Sequence, residues 1–269
     1  MLASKGVSLE KCIAPTVSIG KGQHSDIEVR TSELFLARLL NSSPKLSTIT
    51  FELISDEGLR LIAASSGPSL RVIEATLCID SDEEMMSMCR KCPNLTEFKI
   101  DAGDCVVFGD KIIESVAQFC PLIEIISMKH WALTNAAVHA LASIHTLREF
   151  QIDRPHQLSS IAVQHALQAN PLISNICLDG PFIDAALVKC IGKFCRNLTT
   201  LELTKDVVFD NQSLHTLFHG CSLLTSLKLK PRGTLSNASL TLLFQNRRLL
   251  VELDLSMFKH PLFIPSPPC

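Results

Sequence analysis

The chain has no excess of either charge. Its 25 lysines and arginines face 27 aspartates and glutamates, for a net charge of −2 and a pI near 6.5. With that balance, no basic excess points to nucleic acid or an anionic membrane. The longest local basic group is Lys228, Lys230 and Arg232, and Pro231 interrupts it. No segment approaches roughly 18 uncharged apolar residues, so no transmembrane helix is predicted. The first residues, MLASKGVSLEKC, place Lys5, Glu10 and Lys11 where a signal peptide has its apolar stretch. The expectation is an intracellular protein, cytoplasmic or nuclear, whose 11 cysteines stay reduced. The sequons at Asn41, Asn94, Asn197, Asn211 and Asn237 are then expected to carry no glycan.

Motifs that carry chemistry are also missing. Cys89 and Cys92 form a C-x-x-C without the second pair that zinc would need. His215 and His219 stand four apart on a predicted helix, but Leu214, Leu217 and Phe218 claim its inward face, which leaves both histidines on the surface. Gly20-Lys21-Gly22 lacks the spacing of a phosphate-binding loop, and there is no G-x-S-x-G elbow. The sequence therefore predicts no enzyme, no metal and no cofactor.

What is present is a repeat. An apolar lead residue is followed three and five positions later by two more, as in Leu95, Phe98, Ile100 and Leu198, Leu201, Leu203. The leads are Leu46, Leu70, Leu95, Ile123, Leu147, Ile173, Leu198, Leu224 and Leu250, spaced 24 to 28 residues apart. Lead, third and fifth positions read as a short strand whose alternate side chains share one face. After each strand comes a capping residue and a helical stripe. Ser55 or Asp56 precedes Leu59, Ile62 and Ala63; Thr134 precedes Val138, Leu141 and Ala142; Asp184 precedes Leu187, Cys190 and Ile191. Asp210 precedes Leu214, Leu217 and Phe218, and Ser236 precedes Leu240, Leu243 and Phe244. Gly67-Pro68 is expected to stop the first of these helices. Cys92, Cys120, Cys195 and Cys221 each lie three residues before a lead, which predicts a small buried residue at the helix end and not a reactive thiol. A tenth strand reads at Ala14, Val17 and Ile19, followed by a helix over 31–40.

A period of about 20–29 residues with an L-x-x-L-x-L core marks a leucine-rich-repeat solenoid. The phrases running to Gly67-Pro68-Ser69-Leu70, Cys92-Pro93-Asn94-Leu95 and Cys195-Arg196-Asn197-Leu198 resemble the cysteine-containing subclass. The resemblance covers about residues 14–256 and implies an α/β, right-handed horseshoe with parallel strands on its concave face and helices on its convex face. The subclass's post-strand cysteine matches well at Cys78, whereas Trp131, Pro155 and Asp206 stand there elsewhere. Residues 1–13 read as a short extension, 14–256 as nine to ten repeats, and 257–269 as a Pro-rich tail that caps the last repeat over 257–266.

The subclass is best known from F-box/leucine-rich-repeat proteins, in which the repeats capture a substrate for an SCF ubiquitin ligase. The thirteen residues before Ala14 do not match an F-box. Two functions stay open: a substrate-recognition module that works with SCF components, or a free-standing scaffold or inhibitor with no ubiquitin role. Both need a protein partner. In each strand the second and fourth residues after the lead point away from the core, and the sixth often joins them. These positions hold Glu52, Glu74, Glu97, Asp101, Glu149, Asp153, Asp179, Glu202, Glu252 and Asp254 against Lys99, Lys129, Lys228 and Lys230. Ten acids against four bases is −6, so the concave face is expected to favour a partner with a basic surface. Glu97, Lys99, Asp101, Lys129, Glu149, Asp153, Asp179, Glu202 and Lys228 are its candidate binding residues.

Overall fold

The computed structural model describes residues 36–38, 40–41, 45–78, 82–102, 109–129, 132–153, 155, 157–207, 210–231, 241 and 249–254. Strands and helices alternate through them. β1 (Thr48–Ser55) leads to α1 (Asp56–Ser65), β2 (Val72–Cys78) to α2 (Asp82–Lys91), and β3 (Glu97–Asp101) to α3 (Asp110–Phe119). β4 (Ile125–Lys129) leads to α4 (Asn135–Leu141), β5 (Glu149–Asp153) to α5 (Ser160–Ala169), and β6 (Asn175–Asp179) to α6 (Ala185–Phe194). β7 (Thr200–Val207), α7 (Asn211–Gly220), β8 (Ser226–Pro231) and β9 (Glu252–Asp254) complete the series. All nine strands form one sheet in chain order, and every neighbouring pair is parallel. Each helix packs on the next, so both layers grow by one unit per repeat.

Local chemistry accounts for this alternation. β3, β5 and β6 bury every second residue, which pins register because a one-residue slip would expose the whole set. Leu201 in β7 stands between Ile176 and Leu227 and is fully buried. Helices begin where an oxygen accepts from an otherwise unpaired backbone N–H: Ser55, Thr134, Ser159, Asp184 and Asp210 all do so. The four helix-end cysteines are buried. The Cys120 thiol points at the carbonyls of Cys89 and Cys92, at 3.6 and 3.5 Å, and Cys221 repeats this on Ile191 and Cys195, at 3.8 and 3.5 Å. Asn170 holds the same repeat position and donates to the carbonyls of Leu141 and Ala166. At these three positions a side-chain donor ties the helix end to the previous repeat.

Several details depart from the sequence reading. The first helix ends at Ser65, before Gly67-Pro68, with the Ser66 N–H bonded to the Ile62 carbonyl. Residues Gly67–Ser69 form a 3-10 turn, where proline's missing N–H leaves nothing unpaired. Ala142 is half-buried because α4 stops at Leu141, and Ala137 fills the core instead. Phe51 is half-buried although it stays in register opposite Ala75; the β1–β2 register shifts only after it, and Ile54, opposite Leu77, adds a further buried residue. In the last repeat Leu253 is 39% exposed, because no described strand stacks beyond β9. The strand at Ala14–Ile19, the helix after Ser236 and the tail over 257–266 lie outside the described residues. Of the helix expected over 31–40, Leu36 and Leu40 are described, and both are buried and helical.

Candidate functional site

The helices cover one face of the sheet. The opposite face carries the residues at the second, fourth and sixth positions after each lead, and the strand register sorts them into three rows. The first row, in the order β2 to β9, reads Val72, Glu97, Ile125, Glu149, Asn175, Thr200, Ser226, Glu252. The middle row reads Glu74, Lys99, Ser127, Gln151, Cys177, Glu202, Lys228, Asp254. The third row runs Thr76, Asp101, Lys129, Asp153, Asp179. Neighbours in a row stand roughly 4.8 Å apart, the spacing of hydrogen-bonded strands. All nine candidate residues therefore share one surface. The Glu52 side chain lies outside the described residues.

Charge on this surface is not uniform. Lys99 bonds the Glu97 carboxylate at 2.7 Å. Burial pulls the Lys99 ammonium down, but the Glu97 bond and the charges of Glu97, Glu74 and Glu149 outweigh it and hold the group above its ordinary value. At the other end Lys228 stands 3.7 Å from Glu202 and 3.8 Å from Glu252. Those two carboxylates, chiefly, raise its affinity for the proton. Two of the four lysines are thus matched to acids of the same face. In the middle, β4 to β6, the floor is Ser127, Gln151 and Cys177, all uncharged. Ser127 is 7% exposed, not solvated as a fourth-position residue was expected to be, because its hydroxyl donates to Gln151 Oε1 at 2.9 Å. Glu149 flanks this floor on one side; Lys129, Asp153 and Asp179 flank it on the other.

The thiol of Cys177 lies in that floor. Burial first, and then the charges of Glu202 and Asp153, push it up to about 12. It is protonated near neutral pH and is a poor nucleophile and metal ligand. Beyond the floor, Asp179, Glu202, Thr204, Lys228, Lys230 and Asp254 line a shallow depression of about 340 Å³ at the β6–β9 end. Three acids and two lysines share it, both lysines on β8 between Glu202 of β7 and Asp254 of β9. Cys89 and Cys92 are buried in the core, and His215 and His219 are exposed on α7 with their rings stacked at 4.2 Å. Among the described residues no group of three or more potential ligands could hold a metal ion.

A second polar device escaped the sequence reading. Hydroxyls one residue after the lead bond to the carbonyl at the same position of the previous repeat. Thr96 reaches Arg71 at 3.1 Å, Ser174 reaches Arg148 at 3.2 Å, Thr199 reaches Ser174 at 3.1 Å and Thr225 reaches Thr199 at 3.1 Å. The signal for it in the sequence is the recurrence of serine and threonine there, at Thr96, Ser174, Thr199 and Thr225, between apolar positions.

No protein family is matched by the chain, and no curated protein matches it. Solved structures do. A chain in the crystal structure of the Rad7 and Elc1 complex in yeast is similar over 87% of this chain and 77% of that one, with TM-score 0.56 and 17% identity. The fold is a leucine-rich-repeat solenoid. A chain in the crystal structure of the TLR13–ssRNA13 complex is similar over 80% of this solenoid and 36% of that chain, with TM-score 0.49 and 12% identity. At 17% identity the likeness to the first is one of fold.

Proposed function

We propose that this solenoid is a protein-binding module that takes a basic segment of its partner across β3 to β8. The observation that carries the reading is the charge of the helix-free face. Nine described acids share it with four lysines, of which Lys99 and Lys228 already stand against acids of the same face. Glu149, Asp153 and Asp179 then set the field over the neutral floor of Ser127, Gln151 and Cys177. An arginine or lysine of the partner would meet carboxylates there in a partly desolvated trough, where charge-assisted hydrogen bonds are strongest. A suppressed thiol in the floor fits binding better than catalysis. Among the described residues no helix is long and apolar enough to cross a membrane.

The finer reading is capture of a substrate for a ubiquitin ligase from the cytoplasm or nucleus. It is supported by the resemblance of these repeats to those of F-box/leucine-rich-repeat adaptors. A free-standing scaffold or inhibitor would use the same face. Affinity capture from native lysate separates the two readings, since ligase subunits should accompany the first alone.

The face itself is tested with a fluorescent arginine-rich peptide and the triple variant Glu149→Lys, Asp153→Lys, Asp179→Lys. Wild-type binding should weaken as salt rises, because exposed charges are screened over about 8–10 Å at moderate ionic strength. The variant should lose binding and keep its melting temperature. Binding that survives both changes would place the partner elsewhere.

A further inference from the structure

The solenoid has a second surface, of opposite charge. Along one rim the helix C-termini run into the strands, between five residues before each lead and one after it. Arg71, Arg90, Lys91, Arg148, Lys193 and Arg196 are exposed there. Glu124 is the single acid among the described residues of this rim, and it is paired with Arg148 at 3.3 Å. The chain as a whole is slightly acidic, so positive charge is concentrated on this rim as negative charge is on the strand face. Basic residues near helix C-termini offset the helix dipole, which accounts for Arg90, Lys91 and Lys193. Arg71 and Arg148 follow the lead residues and lie on no helix.

The rim is also where apolar side chains are exposed. Of the eight large hydrophobic residues exposed among the described residues, six lie on it: Leu122, Leu172, Phe194, Leu223, Leu249 and Val251. Leu122, Leu172 and Leu223 occupy one repeat position, directly before the lead, and are 44%, 42% and 46% exposed. The other repeats act as an internal control. At that position Asn94 donates to the Pro68 carbonyl at 2.8 Å, Asn197 to the Pro171 carbonyl at 3.0 Å, and Thr146 to the Ile123 carbonyl. Stacking is thus served by a polar residue that ties two repeats together, and it does not call for an exposed leucine. The opposite rim differs in kind. There the helix N-termini are closed by Asp110 with Thr134, Asn135 with Ser159, Ser160 with Asp184, and Lys189 with Asp210.

We infer that this rim is a second docking surface, for an acidic amphipathic helix of a partner protein. Leu122, Leu172 and Leu223 of β4 to β8 are its apolar stripe, with Arg148, Lys193 and Arg196 beside them and Arg71, Arg90 and Lys91 at the β2–β3 end. Its charge selects acidic flanks on the partner. From β4 to β8 the three leucines stand on every second strand, with Leu249 following at the same position on β9, so Leu122, Leu172 and Leu223 lie roughly 10 Å apart, twice the interstrand spacing. A helix rises about 10.5 Å in seven residues and so presents apolar side chains at that interval on one stripe. An extended segment repeats on one face at about 6.6 or 13 Å and does not match. This surface is independent of the strand face, and one partner could engage both.

The test uses the full chain and a synthetic helix of about 21 residues with leucine at every seventh position and glutamate on its flanks. Fluorescence anisotropy should report salt-sensitive binding. The variant Leu122→Ser, Leu172→Ser, Leu223→Ser and the separate variant Arg148→Glu, Arg196→Glu should each weaken it about tenfold or more. All five residues are exposed, so melting temperatures should hold; the charge variant leaves every apolar contact intact if the serine variant does not fold. The strand-face triple variant should bind this peptide as wild type does. The inference is overturned by no binding, by equal binding of a lysine-flanked version, or by loss of binding in the strand-face variant. Capture of phosphatidylserine vesicles without the peptide would make the rim a membrane contact instead. Self-association abolished by the rim variants, with no peptide bound, would make it a contact between copies of this chain.

Discussion

The contact between α6 and α7 offers the sharpest test of how these repeats stack. A Cβ placed on Gly220 would stand 1.5 Å from the Gly192 carbonyl oxygen and 2.6 Å from its carbon. Ordinary contact begins near 3.4 Å, so Gly220→Ala requires the two backbones to part by about 1.9 Å (3.4 less 1.5). Backbone on the other side cannot rotate away as a side chain would. Overpacking costs about 1–3 kcal/mol and more where relief is blocked. Alanine's better helix propensity returns at most about 1 kcal/mol. The net loss should be about 2 kcal/mol, or a melting temperature lower by about 4–8 °C in a protein of this size. Gly192→Ala meets Thr216 and Leu217 backbone at 2.5 and 2.6 Å and should behave alike. The double variant should cost less than the sum, because both act on one contact. Gly109→Ala serves as control, with nothing within 4 Å of its Cβ position. Circular dichroism gives the melting temperature, and hydrogen exchange should show the loss concentrated in Ala185–Phe194 and Asn211–Gly220. A Gly220→Ala protein that melts within about 1 °C of wild type would refute the close backbone approach.

Three further outcomes can be checked. Leu201→Asp puts a carboxylate between Ile176 and Leu227 in the closed layer, so the central repeats should lose cooperative unfolding; a change within about 0.5 kcal/mol would mean the register is wrong. Asp210→Ala removes a capping box and should cost about 1 kcal/mol by denaturant melts near neutral pH. The Ser213 backbone N–H, chiefly, holds the Asp210 carboxyl below its ordinary value, so this stabilisation is present above the ordinary carboxylate range and is lost as pH falls through the folded value; a wild-type-to-variant gap that grows in acid would contradict the capping role. Cys177 should react slowly with iodoacetamide near neutral pH although it is partly exposed on the strand face; labelling as fast as a free thiol would show that the floor of the face is not desolvated.

The architecture could be read from the sequence because a repeat states the same local instruction many times. Any one L-x-x-L-x-L phrase is weak, but nine in register leave few alternatives. Leu95, Phe98, Ile100, Leu198, Leu201 and Leu203 are all buried, as their period requires. The capping oxygens of Thr134, Asp184 and Asp210 were likewise visible as residue types just ahead of an apolar stripe. The departures lie where a neighbouring repeat decides the outcome. The β1–β2 register shifts after Phe51 and brings Ile54 opposite Leu77, and Ser127 is closed over by Gln151 from the next strand.

The sequence by itself determined the unit: which residues face the core, where the helices after Ser55, Thr134, Asp184 and Asp210 start, and that acids cluster on the strand positions. Those are properties of periods of two and of 3.6, which short stretches of chain carry alone. Tertiary structure decided everything that depends on distance between repeats some 25 residues apart. It set which lysine meets which carboxylate on the strand face. It brought Gly192 against Gly220, linked hydroxyls into ladders, and gathered Leu122, Leu172 and Leu223 with the arginines of other repeats onto one rim. Coulombic and packing energies depend on separation in space, and only stacking sets that separation.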